Sequence, residues 1–243
     1  MRYKTLLLAI AFVASIITGT FAETGKKQTP PKAPEHWVLV EEVDLFVFEN
    51  EPATQFHKAR ESFFKKDMKA SAAEIRKGAT FLKMQESRAT AEGKKALKAS
   101  IDELEKLANT VEKGTVKSVK ELDNAFARAH LALAQHHHLR TSESWAKKEY
   151  KMAGHDLKAA AIHLEHALKW SGHELKASVV KVIKDTGLLA GKLIEGIGWV
   201  PEEVGSALEY KGKGGVLEEV GKAIEYIGNE IEKLGKMLEP TKE

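Results

Sequence analysis

The chain has no cysteine, only six prolines, and few aromatic residues, which make up 7% of its 243 positions. A chain without cysteine has no disulfide bridge, thiolate zinc site, iron–sulfur cluster or thiol nucleophile, and no C-x-x-C-H motif for attaching haem. It also lacks the cysteine that a bacterial lipoprotein needs at its processing site. No run of about 18 apolar residues occurs after the first 22 positions, so we expect no membrane-spanning helix in the mature chain.

Charge of either sign is also not in excess. The chain carries 38 Lys and Arg against 35 Asp and Glu, a formal net charge of +3, which is too balanced to indicate nucleic-acid binding. No G-x-G-x-x-G opens a βαβ unit, and Walker and G-x-S-x-G motifs are missing, so nucleotide and serine-hydrolase sites are not indicated. The 43% hydrophobic content is near the globular average. We therefore expect a folded protein that is not an enzyme.

Residues 1–22 have the pattern of a secretory signal peptide. Arg2 and Lys4 precede an apolar run from Leu6 to Ile17, which is followed by Thr18, Gly19 and the small-residue pair Thr20-x-Ala22. This order of basic, apolar and small residues is typical of an export signal, and the apolar run is short for a bilayer span. The sequence predicts cleavage after Ala22 and a periplasmic or secreted protein, with an uncleaved anchor as the alternative.

Composition divides the rest of the chain into four parts. Residues 23–35 contain three prolines and predict a flexible linker. Residues 36–52 are rich in β-branched and aromatic residues and predict an extended arm or short element that Pro52 ends. Residues 53–197 have helical periodicity, and residues 198–243 predict C-terminal amphipathic helices with regularly spaced glycines.

Within 53–197 the periodicity predicts five helices, over about 54–87, 92–113, 115–140, 142–170 and 173–195. Two hairpins in this region have related sequences. The segment from Glu61 to Lys66 reads E-S-F-F-K-K, and that from Glu143 to Lys148 reads E-S-W-A-K-K. We interpret about 55–113 and about 137–195 as an internal duplication. The expected fold is all-α: a long antiparallel bundle of two related helical hairpins plus a C-terminal heptad helix, because each hairpin has an apolar stripe that it cannot bury alone.

Over about 55–195 these paired helices, with alanines at close contacts and regularly spaced aromatic residues, resemble two groups of proteins. One is the tetratricopeptide-type hairpin, and the other is the all-helical periplasmic YfdX family. The resemblance implies an all-helical fold and, for the second family, a periplasmic location. Helices near 30 residues depart from the 34-residue helix-pair repeat of the first group.

The last forty residues contain an uninterrupted heptad seam. Its apolar positions alternate at spacings of three and four, and a glycine recurs every seven residues beside them; together these predict an interaction seam of Leu217, Val220, Gly221, Ile224, Ile227, Gly228, Ile231, Leu234, Gly235 and Leu238. Glycine costs about 1 kcal/mol against alanine inside a helix, so the repeat indicates close approach by another element.

That element could be the bundle itself, a second copy, another protein partner or a membrane surface. Residues 202–243 hold ten Glu and six Lys. An acidic helix is repelled by anionic headgroups, so we do not expect membrane-surface contact.

Eight of the ten histidines lie between 130 and 173. A turn near Thr141 would place His130 opposite His155. Neutral imidazole is a ligand for zinc, copper and nickel, so the candidate metal ligands are His130, His137, His155, His163 and His166. Non-covalent haem is a further option, while the competing interpretation is a set of boundary histidines with local hydrogen bonds. No H-E-x-x-H motif is present, and no cofactor is firmly predicted.

The sequence thus supports two hypotheses. The first is an exported, non-enzymatic helical bundle that acts as an interaction or scaffold module in the cell envelope. Its protein partner or second copy would bind through the C-terminal helix, without nucleic acid. The alternative is a periplasmic protein that binds a transition metal or haem through the histidine cluster.

Overall fold

The computed structural model describes residues 51–172, 177–196 and 216–239, and every regular element in these ranges is an α-helix. The helices are α1 (Glu51–Phe64), α2 (Met68–Glu86), α3 (Ala91–Glu112), α4 (Val119–Ala146), α5 (Tyr150–Trp170), α6 (Ala177–Glu195) and α7 (Val216–Leu238). This confirms the predicted all-α class. The predicted signal peptide, linker and most of the arm lie outside the described residues, as do positions 198–215.

Each helix from α1 to α6 packs on the next one along the chain, and α4 and α5 make the largest contact. Helix α7 returns to pack on α4, α5 and α6. Their apolar faces meet in one core, in which Phe56, Leu82, Leu104, Leu133 and Leu164 are fully buried. Within the described ranges, no helix is both long enough and apolar enough to cross a bilayer.

The predicted helix over 54–87 is wrong, because a turn divides it into α1 and α2. Lys66 has a φ of +64°, and the backbone N–H of Asp67 donates to the carbonyl of Ser62 at 3.0 Å. The Asp67 carboxylate then accepts from the N–H of Ala70 and caps α2. A left-handed residue closing the end of one helix, followed by an N-cap, is a regular way to reverse a chain.

The predicted turn near Thr141 is also wrong. Helix α4 continues to Ala146, and the reversal occurs at Lys148, which has a φ of +60°. The N–H of Glu149 donates to the carbonyl of Ser144 at 2.9 Å, as Asp67 does to Ser62. Thr141 is buried inside α4, where its hydroxyl donates to the carbonyl of His137. The two E-S-x-x-K-K motifs thus share one local structure, while the duplication itself stays a prediction.

Of two further predicted boundaries, one is confirmed and one is wrong. Helix α3 agrees with the predicted 92–113 to within one residue at each end, because Thr90 caps it through the N–H of Gly93. Pro52, predicted to stop the preceding segment, instead lies in the first turn of α1. Proline is tolerated there because its missing N–H would have no partner within the helix.

Most of the described apolar seam residues of α7 are buried against the chain's own bundle, and Ile224 is half-buried. Val220, Ile227, Ile231, Leu234 and Leu238 are each at most 7% exposed, whereas the side chain of Leu217 lies outside the described residues. Polar groups fix the register of α7. The Arg128 guanidinium binds Glu103 of α3 and donates to the Leu238 carbonyl at the end of α7.

The glycines of α7 differ in what they contact. A Cβ at Gly228 would lie 2.8 Å from the His138 ring, and one at Gly235 would lie 3.8 Å from Leu131. A Cβ at Gly221 would meet nothing within 4 Å. Close approach therefore explains Gly228, weakly explains Gly235, and does not explain Gly221.

Candidate functional site: a histidine cluster between α4 and α5

The interface of α4 and α5 contains a cluster of histidine side chains. His130 and His137 are seven residues apart on α4, so both lie on the side of that helix that faces α5. His163 of α5 lies between them and is fully buried, as is His130. His166 lies one turn further along α5 and is half-buried. The long overlap of α4 and α5 that follows from the turn at Lys148 is what brings these residues together.

The closest contact in the cluster joins His130 and His163. Their Nδ1 atoms are 3.2 Å apart, and their ring centroids are 5.4 Å apart. The centroid distance exceeds the Nδ1–Nδ1 distance by about one ring radius for each ring. The two Nδ1 atoms therefore point at each other. One of them must then carry a hydrogen and donate it to the other, because two bare nitrogens or two N–H groups would repel.

The other rings extend this pair into a continuous series. The ring of His166 stacks on His130 at 4.9 Å, and that of His137 stacks on His163 at 5.6 Å. His136 is fully buried, and its ring contacts that of His137 at 4.8 Å. Imidazoles thus run in contact from the buried side of α4 to the half-buried edge of α5.

A buried carboxylate holds one end of this series. Asp156 of α5 is 6% exposed and accepts from His137 Nδ1 at 2.9 Å. The Arg140 guanidinium lies 3.1 Å from the same carboxylate. Because Asp156 accepts at Nδ1, the His137 tautomer and ring orientation are fixed, as a carboxylate fixes a catalytic or metal-bound histidine.

Aromatic side chains close the cluster on the side of α1. Phe56 meets the His130 ring edge-on at 5.4 Å and stacks on Phe126 at 4.4 Å. Trp170 packs edge-on against Phe126 at 5.2 Å, and His57 lies 4.7 Å from Trp170. These rings surround His130 with apolar surface, which penalises its charged form.

Burial is the main influence on the pKa of the two histidines nearest this aromatic side. It holds the pKa of His130 well below the usual 6.5, and the neighbouring His163, His166 and His57 act in the same direction. Burial, followed by His163 and Lys169, lowers the pKa of His166 to about 4. Both rings are therefore neutral at physiological pH.

A sixth histidine contacts α7 instead. His138 Nε2 lies 3.0 Å from the Ile224 carbonyl and donates to it. Burial lowers the pKa of His138, and this hydrogen bond partly opposes the shift. His138 therefore acts in the attachment of α7 and not in the cluster, a role that the sequence analysis did not assign to it.

The structure brings together four of the five predicted metal ligands: His130, His137, His163 and His166. His155 was expected opposite His130, but it lies half-buried on α5 next to Asp156. The predicted pairing of His155 with His130 is wrong because the predicted turn is misplaced. With the turn at Lys148 instead of Thr141, different residues of α5 face α4.

Among the described residues, no group of three His, Asp or Glu side chains is arranged to hold a metal ion. Binding of zinc, copper, nickel or haem stays a prediction. Metal analysis and a visible absorption scan of protein purified without an affinity tag would test it, and absence of both stoichiometric metal and a Soret band would contradict it.

Two features of this site were not predicted from the sequence: the contacts of Asp156 with His137 and Arg140, and the aromatic side formed by Phe56, Phe126 and Trp170. The signal that could have revealed them is the repeated Lys-Lys pair followed by an acidic residue. It marks the two turns and hence the register of α4 and α5.

Comparisons of this chain with protein-family models, with curated proteins and with solved structures gave no match. The fold defines an all-helical bundle with a histidine-rich interface. The likeness to tetratricopeptide-type and YfdX proteins remains a resemblance.

Proposed function

We propose that this chain is an exported, non-enzymatic helical bundle that acts as an interaction module in the cell envelope, with α7 as the element that it exchanges with a partner. The observation that supports this most is the docking of α7, whose apolar seam lies against α4, α5 and α6. An amphipathic helix bound along an apolar surface of a bundle is a recurring mode of recognition between proteins. The proposed export rests on the sequence of residues 1–22.

The chemistry of α7 defines the kind of partner that this surface fits. Its buried face consists of branched aliphatic residues at heptad spacing, while Glu225, Glu232, Lys233 and Lys236 are exposed on the other face. A competing helix must supply a similar seam and a small residue where His138 approaches Gly228. The α7 helix of a second copy meets both conditions, so exchange between two copies is the simplest form of the proposal.

The test compares the mature chain with a truncation ending at Lys211. We expect the truncation to melt at a lower temperature, because it exposes the apolar surface under α7. A labelled peptide of residues 216–239 should bind the truncation and should bind the full chain much more weakly, since the chain's own α7 occupies the surface. Sizing of the mature chain at increasing concentration reports exchange between copies directly.

A pair of peptide variants makes this test specific. Ile227→Glu places a charge at a fully buried seam position, whereas Asn229→Glu places the same charge at an exposed one. We expect the first to abolish binding to the truncation and the second to leave binding nearly unchanged. A folded truncation that binds neither the natural peptide nor the Asn229→Glu peptide would contradict the proposal.

A further inference from the structure

We propose that the His130–His163 pair is a proton-controlled lock in the α4–α5 interface: it joins the two helices while both rings are neutral and separates them when both rings are charged. The ligand of this site is a proton. The lock does not depend on the exchange of α7 proposed above, because the pair lies between α4 and α5.

The number of hydrogens on the two rings determines whether His130 and His163 can form a hydrogen bond with each other. Each neutral imidazole has one N–H, so a neutral pair can place one hydrogen between the two facing Nδ1 atoms. When both rings are imidazolium, both Nδ1 atoms carry hydrogens and face each other across 3.2 Å. That arrangement replaces a hydrogen bond by two opposed donors with like charge. The present packing therefore excludes the doubly charged pair.

Adding the first proton is also unfavourable, because His130 is buried. Within the described part of the chain, His130 Nε2 is buried and has no hydrogen-bond partner. A neutral His130 that donates through Nδ1 leaves only a lone pair there, whereas a charged ring leaves a buried N–H without an acceptor. An unsatisfied buried donor is costly, and a charged one more so. We therefore assign His130 as the donor to His163 in the neutral state.

Among the described residues, no third His, Asp or Glu side chain is arranged to complete a metal site with this pair. The 3.2 Å between the two Nδ1 atoms is ordinary for a hydrogen bond between nitrogens. We therefore interpret the contact as a shared hydrogen.

The groups that face the cluster do not neutralise added positive charge. They comprise His57 from α1, His137 and Arg140 from α4, and Asp156, Glu165, His166 and Lys169 from α5. The Asp156 carboxylate already binds His137 and Arg140. Glu165 is paired with Lys169 at 2.7 Å. Both carboxylates therefore have cationic or donor partners before the pair gains a proton.

The test uses the full chain and three proteins: the natural sequence, His163→Phe, and the control His155→Gln. Phenylalanine is chosen because Phe81 occupies the matching position of the α1–α2 hairpin. For each histidine that titrates only in the unfolded chain, the unfolding constant rises up to about tenfold per unit fall in pH. We expect the natural chain and His155→Gln to show the same steep rise below pH 6.5, and His163→Phe to show a rise shallower by up to tenfold per unit.

A second measurement keeps the inference testable if His163→Phe does not fold. Long-range nitrogen–proton NMR spectra of the natural chain report the tautomer and charge of each imidazole. At pH 7 we expect neutral rings, with hydrogen on Nδ1 of His130 and on Nε2 of His163. Equal steepness in His163→Phe and the natural chain would overturn the lock, as would charging of both rings below pH 6 without loss of the α4–α5 contact.

Discussion

The hairpins α1–α2 and α4–α5 reverse through the same turn but fill their interfaces with different chemistry. In the frame that aligns Glu61 with Glu143, a lysine at positive φ ends the first helix of each hairpin. At matching positions in the helices, the first hairpin has Phe56 and Phe81, and the second has His138 and His163. All but His138 are buried in the core, at 4% exposure or less.

This difference shows that the turn fixes the backbone and leaves the residues between the helices free to vary. Apolar rings need only space and shape, whereas imidazoles also need a donor–acceptor arrangement that depends on protonation. The first hairpin is therefore held by packing, and the second is held by packing that acid can disrupt.

The glycines against which these rings pack also differ between the two hairpins. Phe56 packs over Gly78 of α2, where a Cβ would lie 2.3 Å from the Phe56 ring. The residue that matches Gly78 in the second hairpin is Ala160, and the ring of His138 packs over Gly228 of α7 instead. The glycine that makes room for Phe56 thus lies in the same hairpin, whereas the glycine that makes room for His138 lies in the C-terminal helix α7.

The largest effect that we predict comes from Phe56→Ala. Phe56 is fully buried and contacts both Phe126 and His130, and deletion of such a ring costs about 3–5 kcal/mol. Urea unfolding at pH 7.5 measures the loss. The matched variant His138→Ala removes a half-buried ring with one hydrogen bond and should cost about 1–2 kcal/mol. Equal losses in the two variants would contradict the proposed difference between the hairpins.

Acid should loosen the second hairpin before the first. Burial keeps the pKa of His130 well below 6.5 and that of His166 at about 4 in the folded chain, and both return to about 6.5 on unfolding. Between about pH 6.5 and 4 the unfolded chain therefore binds more protons, so stability falls as pH falls, by up to about 1.4 kcal/mol per unit for each histidine.

Hydrogen exchange at pH 7.5 and pH 5 measures this, after correction for the intrinsic pH dependence of exchange. We expect the amides of α4 and α5 to lose protection at pH 5, and those of α1 and α2 to keep most of theirs. Equal loss in the two hairpins would remove the distinction that the histidines create.

Sequence periodicity predicted the helices well where their ends carry a recognisable signal. Helix α3 has Thr90 as its cap and Gly114, at a φ of +67°, just after its end, and its limits were found to within one residue. The described seam of α7 was read from three- and four-residue spacing alone. Each of these signals lies within the helix that it specifies or next to its end, so it can be recognised in a single sequence.

The turns at Lys66 and Lys148 could not be predicted in the same way. Lysine is a good helix former, and nothing in its intrinsic preference indicates a left-handed conformation. Apolar periodicity also continues across the turn at Lys66, since Phe63 and Ile75 on either side of it both belong to the core. The histidine pairing depends on the register of two helices, so the misplaced turn put His155 instead of His163 opposite His130.

A smaller effect distinguishes the glycine under Phe56 from one that touches nothing. Gly78→Ala should destabilise the chain by about 1–3 kcal/mol, because the added methyl overlaps the rigid Phe56 ring. Gly187→Ala, inside α6 with nothing within 4 Å of the added carbon, should stabilise it by up to about 1 kcal/mol. Thermal melting of both variants is the measurement. A stabilising Gly78→Ala would mean that Phe56 has room to move and that the first hairpin is less tightly packed than the structure indicates.

The smallest predicted effect tests whether the two turns are equivalent. Lys66→Gly and Lys148→Gly each relieve a side chain from a positive φ, which glycine adopts without steric cost, and each should stabilise the chain by about 0.5–1 kcal/mol. Lys147→Gly is the control, because Lys147 has a φ of −83° and glycine there gains nothing while losing more entropy on folding. Equal gains at Lys66 and Lys148, measured by urea unfolding at pH 7.5, would place the difference between the hairpins in their interfaces. A gain at only one of them would show that the turns themselves differ, and that the contrast between phenylalanine and histidine is not the whole distinction.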